Sequence, residues 1–233
     1  MKRFYQQVAI LPAESDAGYV VMLDGKALST PGKTQLVLAS AGLAAAIAEE
    51  WAAQEGEVRP ASMPLTRLAA TATDRVAAAR AAVIYELMRF AATDLLCYRA
   101  AEPDALRARQ AALWQPLLDW SSARFGAELR TVAGLMPQPQ PEAALAALRA
   151  GVEALDDLAL TGLMVATAAA GSLVVGLALT EGRISGEEAF AVSQLDESYQ
   201  IEQWGEDAEA SARRAALKED LLAVERFLAL RAR

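Results

Sequence analysis

The sequence predicts an α+β fold: a small, β-hairpin-rich N-terminal α+β domain over residues 1–80, then a larger all-α orthogonal helical bundle over residues 81–233. Three observations carry that prediction. Two short apolar runs, Val8-Ala9-Ile10-Leu11 and Tyr19-Val20-Val21-Met22-Leu23, have the length of strands, and the second ends at Asp24-Gly25. That dipeptide tolerates the positive φ angles which a two-residue hairpin needs. Beyond Pro60 and Pro64 the apolar spacing turns helical almost without interruption, and no internal repeat is visible.

In chain order, Gln35–Leu38 reads as a further strand, and Ser40 as the N-cap of a helix that sets Leu43, Ile47 and Trp51 four apart on one face. Val76, Val83, Leu87 and Phe90 suit the inner face of a helix ending near Asp94. Pro103 begins another helix, which Pro116 breaks or kinks and Gly126 ends. Pro137-Gln138-Pro139-Gln140-Pro141 is an extended spacer. A helix follows from Glu142, then an uncharged one from Leu158 to Thr180. A third starts at Ser185, where Ser185 and Glu188 match a capping box, and closes at Trp204-Gly205. The last helix carries Leu217, Leu221, Val224 and Leu228 at seam spacing.

Composition narrows the function. More than half of the chain is apolar, so it can bury a real core, and its net charge of −8 opposes non-specific nucleic-acid binding. Cys97 is the only cysteine, which precludes an internal disulfide. Histidine is absent, and with it every His-based triad, His metal ligand and imidazole proton shuttle. The stretch Leu158–Thr180 is long enough to cross a bilayer. Its Ala, Gly and Thr content and lack of an aromatic belt favour a buried helix over a membrane span. The N-terminus carries neither a signal-peptide h-region nor an Arg/Ser-rich leader.

Most motif-like features read as structure. Gly32-Lys33-Thr34 resembles the tail of a phosphate-binding loop, but Ala27 stands where that motif needs Gly, and a surface turn is the expectation. Cys97 has no His to activate it and is expected to be structural. Asp119 has Arg124 nearby to pair with. The informative segment is acidic. Between Arg183 and Arg213 there is no Lys or Arg, yet Glu187, Glu188, Asp196, Glu197, Glu202, Glu206, Asp207 and Glu209 occur, interleaved with Tyr199, Ile201 and Trp204. Glu197, Ile201 and Trp204 share one helix face. One reading is a solvated helix packing its aromatic side inward. The other is an acidic rim around an apolar anchor on a protein-binding surface, where a basic partner would relieve the crowded charge.

Several stretches together resemble the assembly-chaperone family of the ATP synthase F(1) alpha subunit. They are Arg3-Phe4-Tyr5; Leu23-Asp24-Gly25-Lys26 with Leu28 and Thr30-Pro31; Glu49-Glu50-Trp51 with Gln54; Asp94-Leu95-Leu96-Cys97-Tyr98-Arg99; Trp114-Gln115-Pro116-Leu117-Leu118-Asp119-Trp120; and Leu195 through Gly205, the most specific. The resemblance implies a factor that binds the unassembled alpha subunit, shields its apolar interface during assembly, and needs neither cofactor nor metal. It implies Glu197 as the leading partner-binding acid, with Asp196, Tyr199, Ile201, Glu202 and Trp204 beside it. Trp51, Asp94, Tyr98, Arg99 and Trp120 are motif positions read as structural. Ala52 stands where the family is often acidic, and no mitochondrial-type leader precedes Arg3, which points to the bacterial cytoplasm or a mature chain. The chain is further expected to act as a monomer, without nucleic acid or stable membrane insertion. A carboxylate-based enzyme and a membrane-associated scaffold are the alternatives.

Overall fold

In the computed structural model, residues 2–14, 18–134, 136 and 138–231 are described. The N-terminal hairpin forms as its turn chemistry dictates. Strands β1 (Val8–Pro12) and β2 (Tyr19–Leu23) pair antiparallel, and Asp24 and Gly25 take φ of 47° and 78° to turn β2 into β3 (Lys26–Ala27). The Asp24 carboxylate accepts from the N–H groups of Gln6 and Gln7, which hold it below the usual carboxylate range. Strand β4 (Val37–Leu38) pairs with the start of β2, so β3 and β4 share one side of β2 and β1 holds the other.

Alternation along β2 sends Val21 and Leu23, both buried, to one face, and helix α1 (Ala41–Ala52) packs against β1 and β2. Ser40 caps α1, accepting from the Leu43 N–H at 3.3 Å, and Leu43, Ile47 and Trp51 are buried. Tyr5 donates its hydroxyl to the Trp51 carbonyl at 2.6 Å, fixing the N-terminal segment to the end of α1. Helix α2 (Pro64–Thr71) starts on Glu50, whose carboxylate accepts from the Leu65 and Thr66 N–H groups at 2.8 Å and from the Thr66 hydroxyl. A π-helical turn, Ala72–Val76, leads into α3 (Ala77–Ala92), which is kinked at Ala79; periodicity gives no hint of either irregularity.

The chain divides into two compact units. One comprises Met1–Arg80 with Asp156–Gly162 and Arg226–Arg233; the other comprises Ala81–Leu155 and Leu163–Glu225. The second unit is built mainly of helices. Helix α4 (Asp104–Phe125) runs from Pro103 to a left-handed Gly126 and is not broken by Pro116. Ala112 and Pro116 lie on its exposed side, so the carbonyl that a proline leaves without an amide donor faces solvent rather than the core. Helix α5 (Glu142–Glu153) begins after Pro141, and Pro137 of the expected spacer lies outside the described residues. Two two-residue strands, β5 (Tyr98–Arg99) and β6 (Val132–Ala133), add a small parallel pairing that the sequence does not announce.

Two helices expected as continuous are each divided. The uncharged stretch forms α6 (Asp157–Ala170) and α7 (Leu173–Thr180), parted at Gly171, whose φ is 66°. The break is held by Asp94, which is fully buried. It accepts from the Ser172 hydroxyl at 2.7 Å and from the Val174 and Leu96 N–H groups at 3.1 Å. Among the described residues no helix is long and apolar enough to cross a membrane. The segment after Ser185 likewise forms α8 (Gly186–Ser193) and α9 (Leu195–Trp204), divided at Gln194. The capping box at Ser185 and Glu188 is present as expected. In α10 (Ala208–Arg231), Leu221, Val224 and Leu228 are buried and Leu217 is half-buried. Phe227, outside the expected seam, is fully buried. Phe90 of α3 is half-buried rather than internal.

Candidate partner-binding site

Helix α9 carries the six residues assigned to a partner surface, and its setting follows from polar contacts on both flanks. On the α4 side, Gln110 donates its amide to Asp196 at 2.8 Å, and Arg109 donates to both oxygens of Glu202 at 2.7 and 2.8 Å. The same guanidinium lies 5.2 Å from the Tyr199 ring centre, a cation–π contact. On the α10 side, Arg213 pairs with Glu197 at 2.8 Å, and Arg214 donates to Ser198 at 2.9 Å and pairs with Glu206 at 3.4 Å. Farther back, Lys218 pairs with Glu187 at 2.9 Å. Asp207 caps α10, its Oδ1 accepting from the Glu209 and Ala210 N–H groups.

The acidic segment is thus matched by basic side chains of neighbouring helices, and charge crowding alone does not demand a basic partner. Each exposed pair contributes under about 1 kcal/mol, and their joint effect is to fix the direction of α9. Of the residues α9 leaves exposed, Gln200, Glu202, Gln203 and Trp204, one is apolar. Trp204, on its last turn, is 79% exposed, and Gly205 ends the helix immediately after it. Glu202 is exposed beside it, whereas Asp196, Glu197, Tyr199 and Ile201 are half-buried. Glu197, Ile201 and Trp204 therefore share a helix face, but only Trp204 stands clear of the surface.

The motif positions read as structural each make contacts within the chain. The Trp51 ring is 8% exposed and 5.6 Å from Tyr5. Asp94 crosslinks the Leu95–Cys97 turn to the start of α7, and burial raises its carboxyl to about 6 although every hydrogen bond it receives favours the charged form. Arg99 donates to the Gln110 carbonyl at 2.8 Å and lies over the Trp114 ring. Trp114 is fully buried and donates its indole N–H to the Val192 carbonyl at 3.0 Å, tying α4 to α8. Half-buried Tyr98 sits in the β5 pairing, and Trp120 packs edge-on against Phe125.

The remaining motif-like features resolve as follows. Cys97 is buried, and desolvation beside Asp94 pushes its thiol up to about 12, far from a nucleophile's range. At Gly32-Lys33-Thr34 the place of a phosphate is taken by Asp74, which accepts from the Gly32 N–H at 2.8 Å and the Thr30 hydroxyl at 2.6 Å. Asp119 accepts from Gln115, while Arg124 pairs with Glu181 rather than with Asp119. Among the described residues no Cys/Asp/Glu cluster is suited to a metal ion. Sequence reasoning missed Arg109 and Arg213, because a partner 93 or 16 residues away leaves no local signal. It also missed the capping role of Glu50, which lay inside a quoted motif.

The chain as a whole is similar to several known proteins. A solved structure of an Asp-to-Lys mutant of Paracoccus denitrificans Atp12p is 43% identical, covering 99% of this chain and 97% of its own, with a TM-score of 0.93. The crystal structure of Atp12 from Paracoccus denitrificans matches at 43% identity over 98% of this chain and 97% of its own, with a TM-score of 0.92. The Schizosaccharomyces pombe protein atp12, mitochondrial, is 26% identical over 221 residues, covering 89% of this chain and 75% of its own length. Residues 2–122 match the family described as ATP12 chaperone protein, and the chain belongs to that family.

Proposed function

We propose that this chain is the chaperone that receives the unassembled alpha subunit of the ATP synthase F(1) complex and covers its apolar interface until assembly. The protein acts in F(1) assembly as an ATP12-family chaperone. It works in the bacterial cytoplasm as a single chain and makes or breaks no covalent bond. Support for the cytoplasmic placement is the higher identity to the Paracoccus structures than to the fission-yeast relative. Support for a non-catalytic role is the absence of histidine and the inert setting of Cys97.

The observation that carries the reading is Trp204, held 79% exposed at the end of a helix braced on both flanks by arginines. Leaving a tryptophan in water forfeits apolar burial that a folded chain usually takes, and an exposed aromatic anchor with a polar rim is the composition of a binding hot spot. Affinity comes from burying this side chain, while Glu197 and Glu202 orient the encounter. The test is a pull-down in which immobilised chaperone meets unassembled alpha and beta subunits in competition. Selective retention of alpha is expected; retention of beta, or of neither, would refute the assignment.

A further inference from the structure

Strand β1 offers a second binding element. Among the described residues it pairs only with β2, whose opposite side is occupied by β3 and β4. The ladder is bracketed by the Asp24 N–H bond to the Gln7 carbonyl and the Ala13 N–H bond to the Gly18 carbonyl. In an antiparallel pair, alternate residues turn both backbone groups toward the partner. Residues 7, 9, 11 and 13 therefore serve β2, and Val8, Ile10 and Pro12 point outward. The free edge presents N–H and C=O of Val8, N–H and C=O of Ile10, and C=O of Pro12, and none of these is hydrogen-bonded among the described residues.

The edge is also apolar and unguarded. No charged residue occurs between Arg3 and Glu14, whereas soluble proteins commonly place Lys or Glu on such edges; Pro12 is its single blunting feature. Leu11 is 50% exposed, Ile10 37% and Val37 41%. Cross-strand register puts Leu11 and Val37 on one sheet face with buried Val20 between them, and Ala9, Met22 and Ala27 alongside.

Size decides between a second folded copy and a single strand. Five residues at ~3.3 Å and three strands at ~4.8 Å give a face of about 17 by 14 Å, roughly 240 Å², well short of the ~800 Å² per partner of a stable interface. One extended segment of about the same length as β1 fits both the edge and the face.

We infer that β1 is a docking strand which binds an extended, uncharged apolar segment of a client chain by adding it to the sheet edge. The inference rests on the chaperone reading for whose segment it is. The bound segment satisfies the backbone groups of Val8 and Ile10 and lays alternate side chains beside Leu11 on one face and Ile10 on the other.

The test uses the full ¹⁵N-labelled chain and a short uncharged peptide whose core alternates Val and Thr between Gly-Ser flanks. A second peptide has alternate core amides N-methylated. Amide exchange at Val8 and Ile10 is expected to slow about tenfold or more with the first peptide and to stay unchanged with the second, since only the first can complete the ladder. Ile10→Pro removes an outward N–H without touching the β2 ladder and is expected to weaken peptide binding about tenfold. Leu11→Lys, which keeps the backbone intact, is expected to weaken it similarly, and Trp204→Ala to leave it unchanged. Equal binding of the N-methylated peptide, no protection at Val8 and Ile10, or a dimer that Ile10→Pro dissolves would each overturn the inference. Retention of alpha without protection of β1 would strike this inference alone. Protection of β1 without retention of alpha would strike the alpha assignment alone.

Discussion

Trp204→Ala separates binding from folding more cleanly than any other single change. A tryptophan side chain offers ~150–250 Å², so the 79% left exposed amounts to roughly 120–200 Å² available for a partner to cover. At about 25 cal/mol per Å² this corresponds to roughly 3–5 kcal/mol before the cost of ordering the interface. A net loss of about 2–4 kcal/mol is expected on truncation, or roughly 30- to 1,000-fold in Kd. Only about a fifth of the side chain is covered within the chain, so the folding penalty is about 1 kcal/mol, and alanine's better helix propensity offsets part of it. The assay is titration calorimetry of purified alpha subunit into each variant, with urea unfolding in parallel. A Kd within twofold of wild type would refute the reasoning, as would a stability loss matching the affinity loss.

Glu197→Lys sets a second cation beside Arg213 and removes an orienting acid. Capture of alpha is expected to slow, chiefly in its association rate, while Tm moves by no more than a few degrees; surface-plasmon kinetics and calorimetry read the two effects. Asp94 makes stability depend on pH. Its folded carboxyl sits at about 6 against 3.8 for the ordinary group, so the folded state holds a proton that the unfolded state releases between those values. Stability from this group is full below pH ~4, falls as pH rises through ~6 by about 3 kcal/mol, and is level above. Asp94→Asn is expected to abolish that slope in urea titrations across pH 4–7, and also to lower stability by about 1–3 kcal/mol because its amide opposes a donor. Gly176→Ala would place a methyl 3.0 Å from Leu163 Cδ1 and closer still to Thr167 Oγ1. A stability loss of about 1–3 kcal/mol is expected by denaturant unfolding. Cys97 is expected to resist a thiol reagent in the folded chain and to react fully once unfolded, as a colorimetric thiol assay would record.

Features governed by neighbouring residues were legible in the sequence. Asp24-Gly25 declares its hairpin because few residues accept positive φ, Ser185 and Glu188 declare a cap three residues apart, and Gly126 and Gly205 end helices for the same conformational reason. Features that depend on distant partners were not. The break at Gly171 sits in an unbroken apolar run, and the carboxylate that stabilises it, Asp94, lies 78 residues earlier in the chain. The division at Gln194 leaves the helical spacing intact, so periodicity cannot report it. The acidic stretch before Arg213 looked unpaired because the bases opposing it belong to α4 and α10. The six residues proposed as a partner surface read from the sequence as one helical group and do share α9, yet which of them protrudes was not legible, since Tyr199, Ile201 and Trp204 are all apolar and only packing distinguishes them. Several residues that carried the family resemblance, Asp24, Glu50, Asp94 and Trp114 among them, make hydrogen bonds that hold elements of the fold together.

The account stands on α9 presenting Trp204 to an unassembled subunit. Amide exchange of the chaperone with and without purified alpha subunit measures this directly. Residues 195–209 are predicted to gain protection on complex formation, with smaller changes in the buried turn around Asp94. Unchanged exchange across 195–209 in a complex that demonstrably forms would contradict it.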